Sequence, residues 1–452
     1  MRIARQFMSL VLTRWSSLGL GFLTTVISAR ALGPERQGAV TLLLATPGIL
    51  AIFLGAGLPT AAAYLIKQER QALGGLVGAI TGFYAVMGVG VLLLVWTGRP
   101  WIELFALRQM GLEIDPLWLW LLVGVLIGVL FSSLLTPLLI VSDKIRLLTV
   151  WTVTSHALGL ALTWLLLVAL RLGITGALIA NLCAQALSIG VLAFWLLRGP
   201  AEGRLRFRAQ ILIKALRIGA QQFLVSSFAA LFKKGDSYIL AALLNVRAVG
   251  YYSVASSLYD LVIDIPRTLV WLMVRETAER GTGDRERQAA RSIRLQIPAS
   301  IVLVAAAAIL IPPFLPVVYG GAFRDAVVPF VVLLGGVPLR TIHLGVSAYF
   351  IGTGYPGAML LPVVVAAVTS LGLDFAAVPR FGLVGAAMTT VFGELLLAAL
   401  SVRAFLRLAD SPGLRALVPS KVELRQLATL PIRLLRSPSD EMAPPAKFGP
   451  GE

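Results

Sequence analysis

Arg14, Lys233, Lys234, Arg267 and Arg340 stand inside long apolar stretches, as do Asp236, Asp260, Asp264 and Glu394. A charge at the middle of a bilayer costs about 2.5 to 3.5 kcal/mol. Lys233, Lys234, Asp236, Asp260, Asp264 and Arg267 fall within residues 215–275, and facing lipid together they would cost on the order of 15 to 20 kcal/mol. They must face a polar interior. The chemistry open to them is electrostatic: cations at reduced dielectric can hold phosphate, and a buried carboxylate can carry a proton or cation. Cys183 is the only cysteine, and His156 and His343 are the only histidines. One chain therefore cannot build a disulfide framework or a His/Cys metal cluster.

Spacing gathers these residues into stripes. Ser253, Ser257, Asp260, Asp264 and Arg267 fall on one face of a helix, and Gln222, Ser226, Lys233 and Ser237 line the preceding one. Arg14 lies on a stripe with Ser17, Gly21, Thr24 and Ser28. We read these stripes as walls of a central cavity. Asp236 is three residues from Lys233, and Asp264 is three from Arg267, so both carboxylates can serve as local partners of the cations. Lys233 and Lys234 then keep one charge in surplus, which favours an anionic ligand. Glu394 has no basic residue within four positions and leads as a candidate for ion coupling, followed by Asp260 and Asp236. His343 is read as a hydrogen-bonded interior residue.

The elements that must position these groups are membrane helices. The 452 residues are 58% hydrophobic and 13% charged, about half the charge of a soluble domain. Twelve apolar spans are expected at 7–29, 38–66, 72–96, 116–141, 147–170, 174–197, 215–243, 250–274, 295–317, 326–351, 358–378 and 383–405. Basic Met1 to Gln6 followed by an apolar run resembles a signal peptide, but the run from Phe7 to Ser28 is long enough to span and is read as an uncleaved first helix. One set of connections, with both termini, holds 26 Lys and Arg against 8 on the other, which places the termini in the cytoplasm. Pro47, Pro59, Pro137, Pro266 and Pro338 mark expected bends. Trp96, Trp101, Trp118 and Trp120 suit interface anchoring.

The chain repeats itself. Arg171-Leu-Gly-Ile-Thr-Gly-Ala177 is echoed by Arg380-Phe-Gly-Leu-Val-Gly-Ala386, and Leu32 to Gly38 by Leu244 to Gly250. The offsets, 209 and 212, are nearly equal. The expected fold is an all-α polytopic membrane protein of about twelve helices in two six-helix bundles related by a pseudo-two-fold along the membrane normal. The bundles are residues 1–197 and 215–405, joined by a cytoplasmic linker at 198–214 and followed by a basic, partly disordered tail at 406–452.

Ser28 to Gly38, Gly55-Ala-Gly-Leu-Pro-Thr60, Val249 to Ala255, Tyr319 to Ala326 and Pro379 to Ala386, in that order, resemble polysaccharide-unit (O-antigen-type) flippases of the multidrug/oligosaccharidyl-lipid/polysaccharide exporter superfamily. The resemblance implies two six-helix bundles forming a V around a cation-rich cavity. It implies flipping of undecaprenyl-diphosphate-linked oligosaccharide from the inner to the outer leaflet of the bacterial plasma membrane by ion-coupled alternating access, without enzymatic activity, cofactor or metal. Arg14, Lys233, Lys234, Arg267 and Arg340 are the expected contacts to diphosphate or anionic sugar. Expected partners are the lipid-linked saccharide, membrane lipids, a polysaccharide polymerase and glycosyltransferases; nucleic acid is not among them, and the chain is expected to be monomeric. Lys234-Gly235-Asp236 fits a family habit in span seven, whereas Asp374 stands where relatives commonly carry Asn, with Arg380 a partner for it.

Three other readings compete. A multidrug and toxin extruder of the same superfamily would want a net acidic cavity. The peptidoglycan-precursor flippase would need two further spans after Phe405. An integral-membrane enzyme acting on lipid-linked sugars would want large outer loops, and the outer connections are short.

Overall fold

The computed structural model describes residues 2–69, 73–101, 115–141, 144–197, 209–279, 282–353 and 356–408. Among them there are twelve α-helices and no strand: α1 (Arg2–Gly55), α2 (Leu58–Glu69), α3 (Leu73–Trp101), α4 (Pro116–Val141), α5 (Ile145–Thr163), α6 (Gly173–Leu197), α7 (Ala209–Leu243), α8 (Val246–Glu279), α9 (Thr282–Tyr319), α10 (Val327–Leu334), α11 (Gly336–Thr353) and α12 (Leu360–Leu408). A π-helical turn, Trp164–Ala169, extends α5. Most of the expected linker and tail lie outside the described residues.

Helices and expected spans correspond once the breaks are placed. α1 carries span one and most of span two, broken from each other at Gly33, with α2 completing span two beyond a second break at Gly57, and α12 carries spans eleven and twelve, broken at Gly382. At 1.5 Å per residue each piece of α1 and α12 is about 33 to 47 Å long, enough for a hydrocarbon core of about 30 Å. Among the described residues eight helices are long and apolar enough to cross a membrane, and the segments Gly321–Leu334 and Gly336–Thr353, bent by 48°, are so taken together. α8, with 34 residues, is long enough to cross as well, but its polar and charged side chains keep it from being apolar throughout.

The breaks sit at glycines rather than at the prolines. Gly33 (φ 72), Gly57 (φ 70) and Gly382 (φ 58) adopt left-handed backbone, which L side chains avoid for steric reasons. Pro34 and Pro59 then start the segments that follow, where a missing N–H costs nothing. Pro47, Pro137 and Pro266 lie within continuous helices, and Pro338 lies in the first turn of α11.

The molecule is turned inside out relative to a soluble protein. Val86, Leu94, Trp96, Ile309 and Leu361 are exposed on its outer surface, whereas Asp236, Asp264, Asp374 and Glu394 are buried. In water such a surface would aggregate; in a bilayer it meets its own kind of solvent. Trp96 and Trp120 pack at 6.1 Å between α3 and α4, and Trp118 Nε1 donates to Thr175 Oγ1 at 2.9 Å.

The two largest apolar cores among the described residues mark two lobes. One gathers Leu58, Leu65, Ile80, Leu130 and Leu134 from α2, α3 and α4, and the other gathers Leu240, Tyr252, Tyr319, Phe330 and Ala386 from α7 to α12. Each borrows from the other half: Ala29, Ala39 and Leu42 of α1 enter the second core, and Ala215 of α7 enters the first. Two antiparallel seams run between the lobes. Along one, α1 meets α8 through Arg14–Asp264, Pro34–Gly250 and Gly38–Val246. Along the other, the later part of α1 and the turn after it meet α7 through Thr46–Tyr238, Phe53–Phe223 and Gly57–Gly219. Without a hydrophobic force between helices in lipid, close backbone approach supplies the attraction, so small residues collect there.

The repeat seen in the sequence has a physical counterpart. Gly173 and Gly382, equivalent by the offset of 209, have φ 59 and 58. The motifs Leu32–Gly38 and Leu244–Gly250 pack against each other. A β-carbon on Gly38 would lie 2.0 Å from Val246 O, and one on Gly250 would lie 1.8 Å from Pro34 O.

Candidate functional site

The inward stripes of α1 and α8 meet at Asp264. Arg14 Nη2 and Arg267 Nη1 both donate to Asp264 Oδ1, at 2.8 and 2.7 Å. One guanidinium comes from each lobe, and a single carboxylate neutralises only one of them. Arg14 Nε is buried without an acceptor. The cluster therefore has one positive charge in surplus and unused donor capacity at the seam between the lobes.

Lys233 reaches across to α8 and pairs with Asp260 at 2.9 Å, both half-exposed. The pairing of Lys233 with Asp236 that their spacing suggests is not made. Asp236 turns instead onto Ser237, accepting its backbone N–H at 2.7 Å. Lys234 has no ion-pair partner among the described residues. Arg340 donates to Glu394 at 3.4 and 3.5 Å, with Phe232 6.0 Å from its guanidinium carbon, and Tyr259 donates to Glu394 at 3.4 Å. Glu394, isolated along its own helix, is thus paired across helices. His343 Nδ1 hydrogen-bonds Ser401 Oγ at 2.8 Å in the second lobe, as an interior histidine does.

A second cluster was not expected. Asp374 is fully buried and accepts from Thr389 through Oδ1, while its Oδ2 has no partner; Arg380, the partner that sequence offers, is exposed elsewhere. Asp236 lies close enough to Asp374 to repel it. Tyr252 and Lys234 act on Asp236, and Tyr252 OH hydrogen-bonds Thr390 Oγ1 at 3.0 Å. With Asp374 counted, five interior cations face five interior carboxylates, so the interior is not net basic but separated in charge. The surplus of cations sits between the lobes, and the surplus of carboxylates sits within the second lobe among α7, α8 and α12. Tyr252 and Tyr259, seven apart on one face of α8, were the overlooked sequence signal.

An apolar cleft of about 210 Å³ opens beside the Arg14 seam, lined by Phe22 of α1, Leu258 and Leu261 of α8, and Leu310, Phe314 and Tyr319 of α9. Among the described residues no group of three or more His, Cys, Asp and Glu is placed to hold a metal ion.

The family of polysaccharide biosynthesis proteins matches residues 3–265. The chain belongs to that family. This family member is a multi-pass membrane protein, and its fold is shared with known transporters. A lipid II flippase, MurJ, in an inward closed conformation superposes with a TM-score of 0.75 at 13% identity, covering 94% of this chain and 92% of that one. An inward-facing multidrug resistance transporter of the MATE family gives 0.69 at 18% identity, covering 86% and 94%. A MOP superfamily transporter from Pyrococcus furiosus, described by the reverse polarity of its binding pocket, gives 0.64 at 16% identity, covering 89% and 95%. No curated protein sequence matches.

Proposed function

We propose that the chain flips undecaprenyl-diphosphate-linked oligosaccharide from the inner to the outer leaflet of the bacterial plasma membrane, with both termini in the cytoplasm. The observation that carries this reading is the Arg14–Asp264–Arg267 cluster, in which each lobe contributes a guanidinium to one carboxylate oxygen. A diphosphate brings more charge than Asp264 supplies and can take bidentate hydrogen bonds from both arginines. Binding there couples substrate to the relative position of the lobes, as alternating access requires. Lys233, Lys234 and Arg340 remain candidates for further contacts to the sugars, and the cleft beside Phe22 and Leu258 gives the polyprenyl chain an apolar path. The lipid II flippase among the solved structures of this fold supports the substrate class.

For ion coupling, Asp260 and Glu394 stand in ion pairs, whereas Asp236 has another buried carboxylate, Asp374, within electrostatic reach, and Asp374 Oδ2 has no partner. We place coupling at Asp236, with Asp374 as its neighbour; a proton or a sodium ion would offset the surplus of negative charge.

The test is reconstitution in proteoliposomes with labelled undecaprenyl-diphosphate saccharide, followed by its protection from reagents on one side. Arg14→Gln and Arg267→Gln are expected to lower the flipping rate about tenfold or more, at 1.4 kcal/mol per tenfold. Efflux of cationic dyes with no flipping of any such lipid would reverse the reading in favour of a multidrug extruder.

A further inference from the structure

Arg30, Arg36 and Arg171 line one open pocket of about 570 Å³ at the face opposite the termini. Its other walls are Ile27, Trp164, Leu167 and Val168. Trp164 and Val168 are exposed on the apolar outer surface, so the pocket lies where that surface meets the polar end of the molecule. The Arg14 seam is separate from it, about 16 residues or 24 Å down α1 at 1.5 Å per residue.

The three arginines are not equivalent. Arg30 Nε donates to Val318 O at 2.6 Å and Nη2 to Val317 O, capping the last carbonyls of α9. Its charge stays at the pocket while part of its donor set is used. Arg36 and Arg171 have no ion-pair partner among the described residues. Glu35, the carboxylate beside them in sequence, is taken by Arg247 at 3.4 Å. Three guanidiniums thus share a pocket with no carboxylate in its lining.

Duplication of the halves does not account for this arrangement. At the offset of 212 the second half places Ala242 and Ala248 where the first has Arg30 and Arg36. Arg171 has an equivalent in Arg380, but Arg171 adopts φ 53 while Arg380 has no positive φ. Arg171 follows the π-helical turn, with Leu172 N–H bonded to Leu166 O at 2.9 Å, in a helix-ending turn whose left-handed position normally favours glycine. Backbone strain at a cation and a π-helical turn in the same wall both recur at binding sites.

We infer that this pocket binds the headgroup of a diphosphate-bearing polyprenyl lipid in the leaflet opposite the termini, with the first isoprenoid units against Trp164 and Val168. The inference rests on the flippase reading and makes the pocket a landing site on the release side. A diphosphate diester carries two negative charges and can take hydrogen bonds from the two guanidiniums with free donor sets, Arg36 and Arg171, while Arg30 adds its charge; a single-charged phospholipid headgroup would answer only one of the three.

The experiment uses full-length protein in phosphatidylcholine nanodiscs with a photoreactive undecaprenyl-diphosphate saccharide, a diphosphate diester, and maps the labelled peptides. The wild type is expected to be labelled within residues 164–173. In Arg36→Gln/Arg171→Gln that labelling should fall at least about tenfold, from the loss of two charge-assisted contacts, with partial recovery in Arg36→Lys/Arg171→Lys. Both positions are exposed, and glutamine keeps the same backbone demand as arginine, so folding should persist. Arg14→Gln/Arg267→Gln should leave the label at 164–173 in place. Unchanged labelling in Arg36→Gln/Arg171→Gln, with loss only in Arg14→Gln/Arg267→Gln, sinks the landing site and spares the flippase reading. Absence of any labelling in the wild type removes both. Equal competition by phosphatidylglycerol, or displacement by inorganic pyrophosphate at matching concentration, overturns the assignment to a lipid diphosphate.

Discussion

Opening toward the face opposite the termini must part Gly38 from Val246 and Gly250 from Pro34, so a methyl group at either glycine should favour the opened state. An added β-carbon would sit 2.0 Å from Val246 O at Gly38 and 1.8 Å from Pro34 O at Gly250, against an ordinary contact of 3.4 Å. The backbones would have to retreat by about 1.4 Å and 1.6 Å, the differences of those distances. Both neighbours are backbone carbonyls, which cannot rotate away as a side chain would. Overpacking of this kind costs about 1 to 3 kcal/mol, which is about 5- to 150-fold in an equilibrium between closed and opened states. With Cys183, the sole native cysteine, changed to serine, Ser257→Cys on the inward face of α8 becomes a reporter. The rate of its labelling by a membrane-impermeant maleimide added opposite the termini follows the opened population. Gly38→Ala and Gly250→Ala should speed that labelling by a factor in the stated range. Gly19→Ala, on the same helix but with nothing within 4 Å, should not. If Gly38→Ala labels no faster than Gly19→Ala, the seam is not the closure and the argument fails.

Three further outcomes follow from named contacts. Asp264→Asn should lower unfolding stability by about 2 kcal/mol, less than the 3 to 5 of a fully buried pair because the guanidiniums are about one-third exposed; adding Arg267→Gln should recover part of the loss in a thermal unfolding assay in detergent. Asp236→Asn should abolish the dependence of flipping on a proton or sodium gradient, whereas Glu394→Gln should chiefly destabilise the fold by stranding Arg340; gradient-dependent protection assays separate the two. Arg171→Gly should raise the unfolding midpoint, because relief of left-handed strain, about 1 to 2 kcal/mol, exceeds the extra backbone entropy of glycine, about 0.5 to 1 kcal/mol. A lowered midpoint there would show that Arg171 is held by contacts stronger than its strain.

Sequence made the twelve spans legible because each carries one signal, apolar length, and Arg14, Asp260, Asp264 and Arg267 because charges in such a stretch have few places to point. The Asp264–Arg267 bond is local to one helix and could be read from spacing three apart. The choices of Lys233 for Asp260, Arg340 for Glu394 and Thr389 for Asp374 depend on which helices touch, and no periodicity within one helix encodes that. Of the prolines expected to mark bends, Pro59 and Pro338 stand just after breaks, while Pro47, Pro137 and Pro266 do not interrupt their helices: a proline costs one hydrogen bond, whereas a glycine with positive φ reverses the local backbone and stops the helix outright. The repeat was readable as residues, but the packing of its two copies against each other was not.

Ala29, Ala39 and Leu42 are buried in a core built from α7 onward, and Pro34 meets Gly250, 216 positions later. At 5 to 20 residues per second, about 10 to 40 s separate the synthesis of the two surfaces. Throughout that interval α1 lies in the membrane with the Arg14 face uncovered, so the insertion machinery or a neighbouring helix of the first lobe must shelter it. Biogenesis, and not only transport, then limits what residues that face can carry, and a second half supplied as a separate chain should rescue a truncated first half only while that shelter lasts.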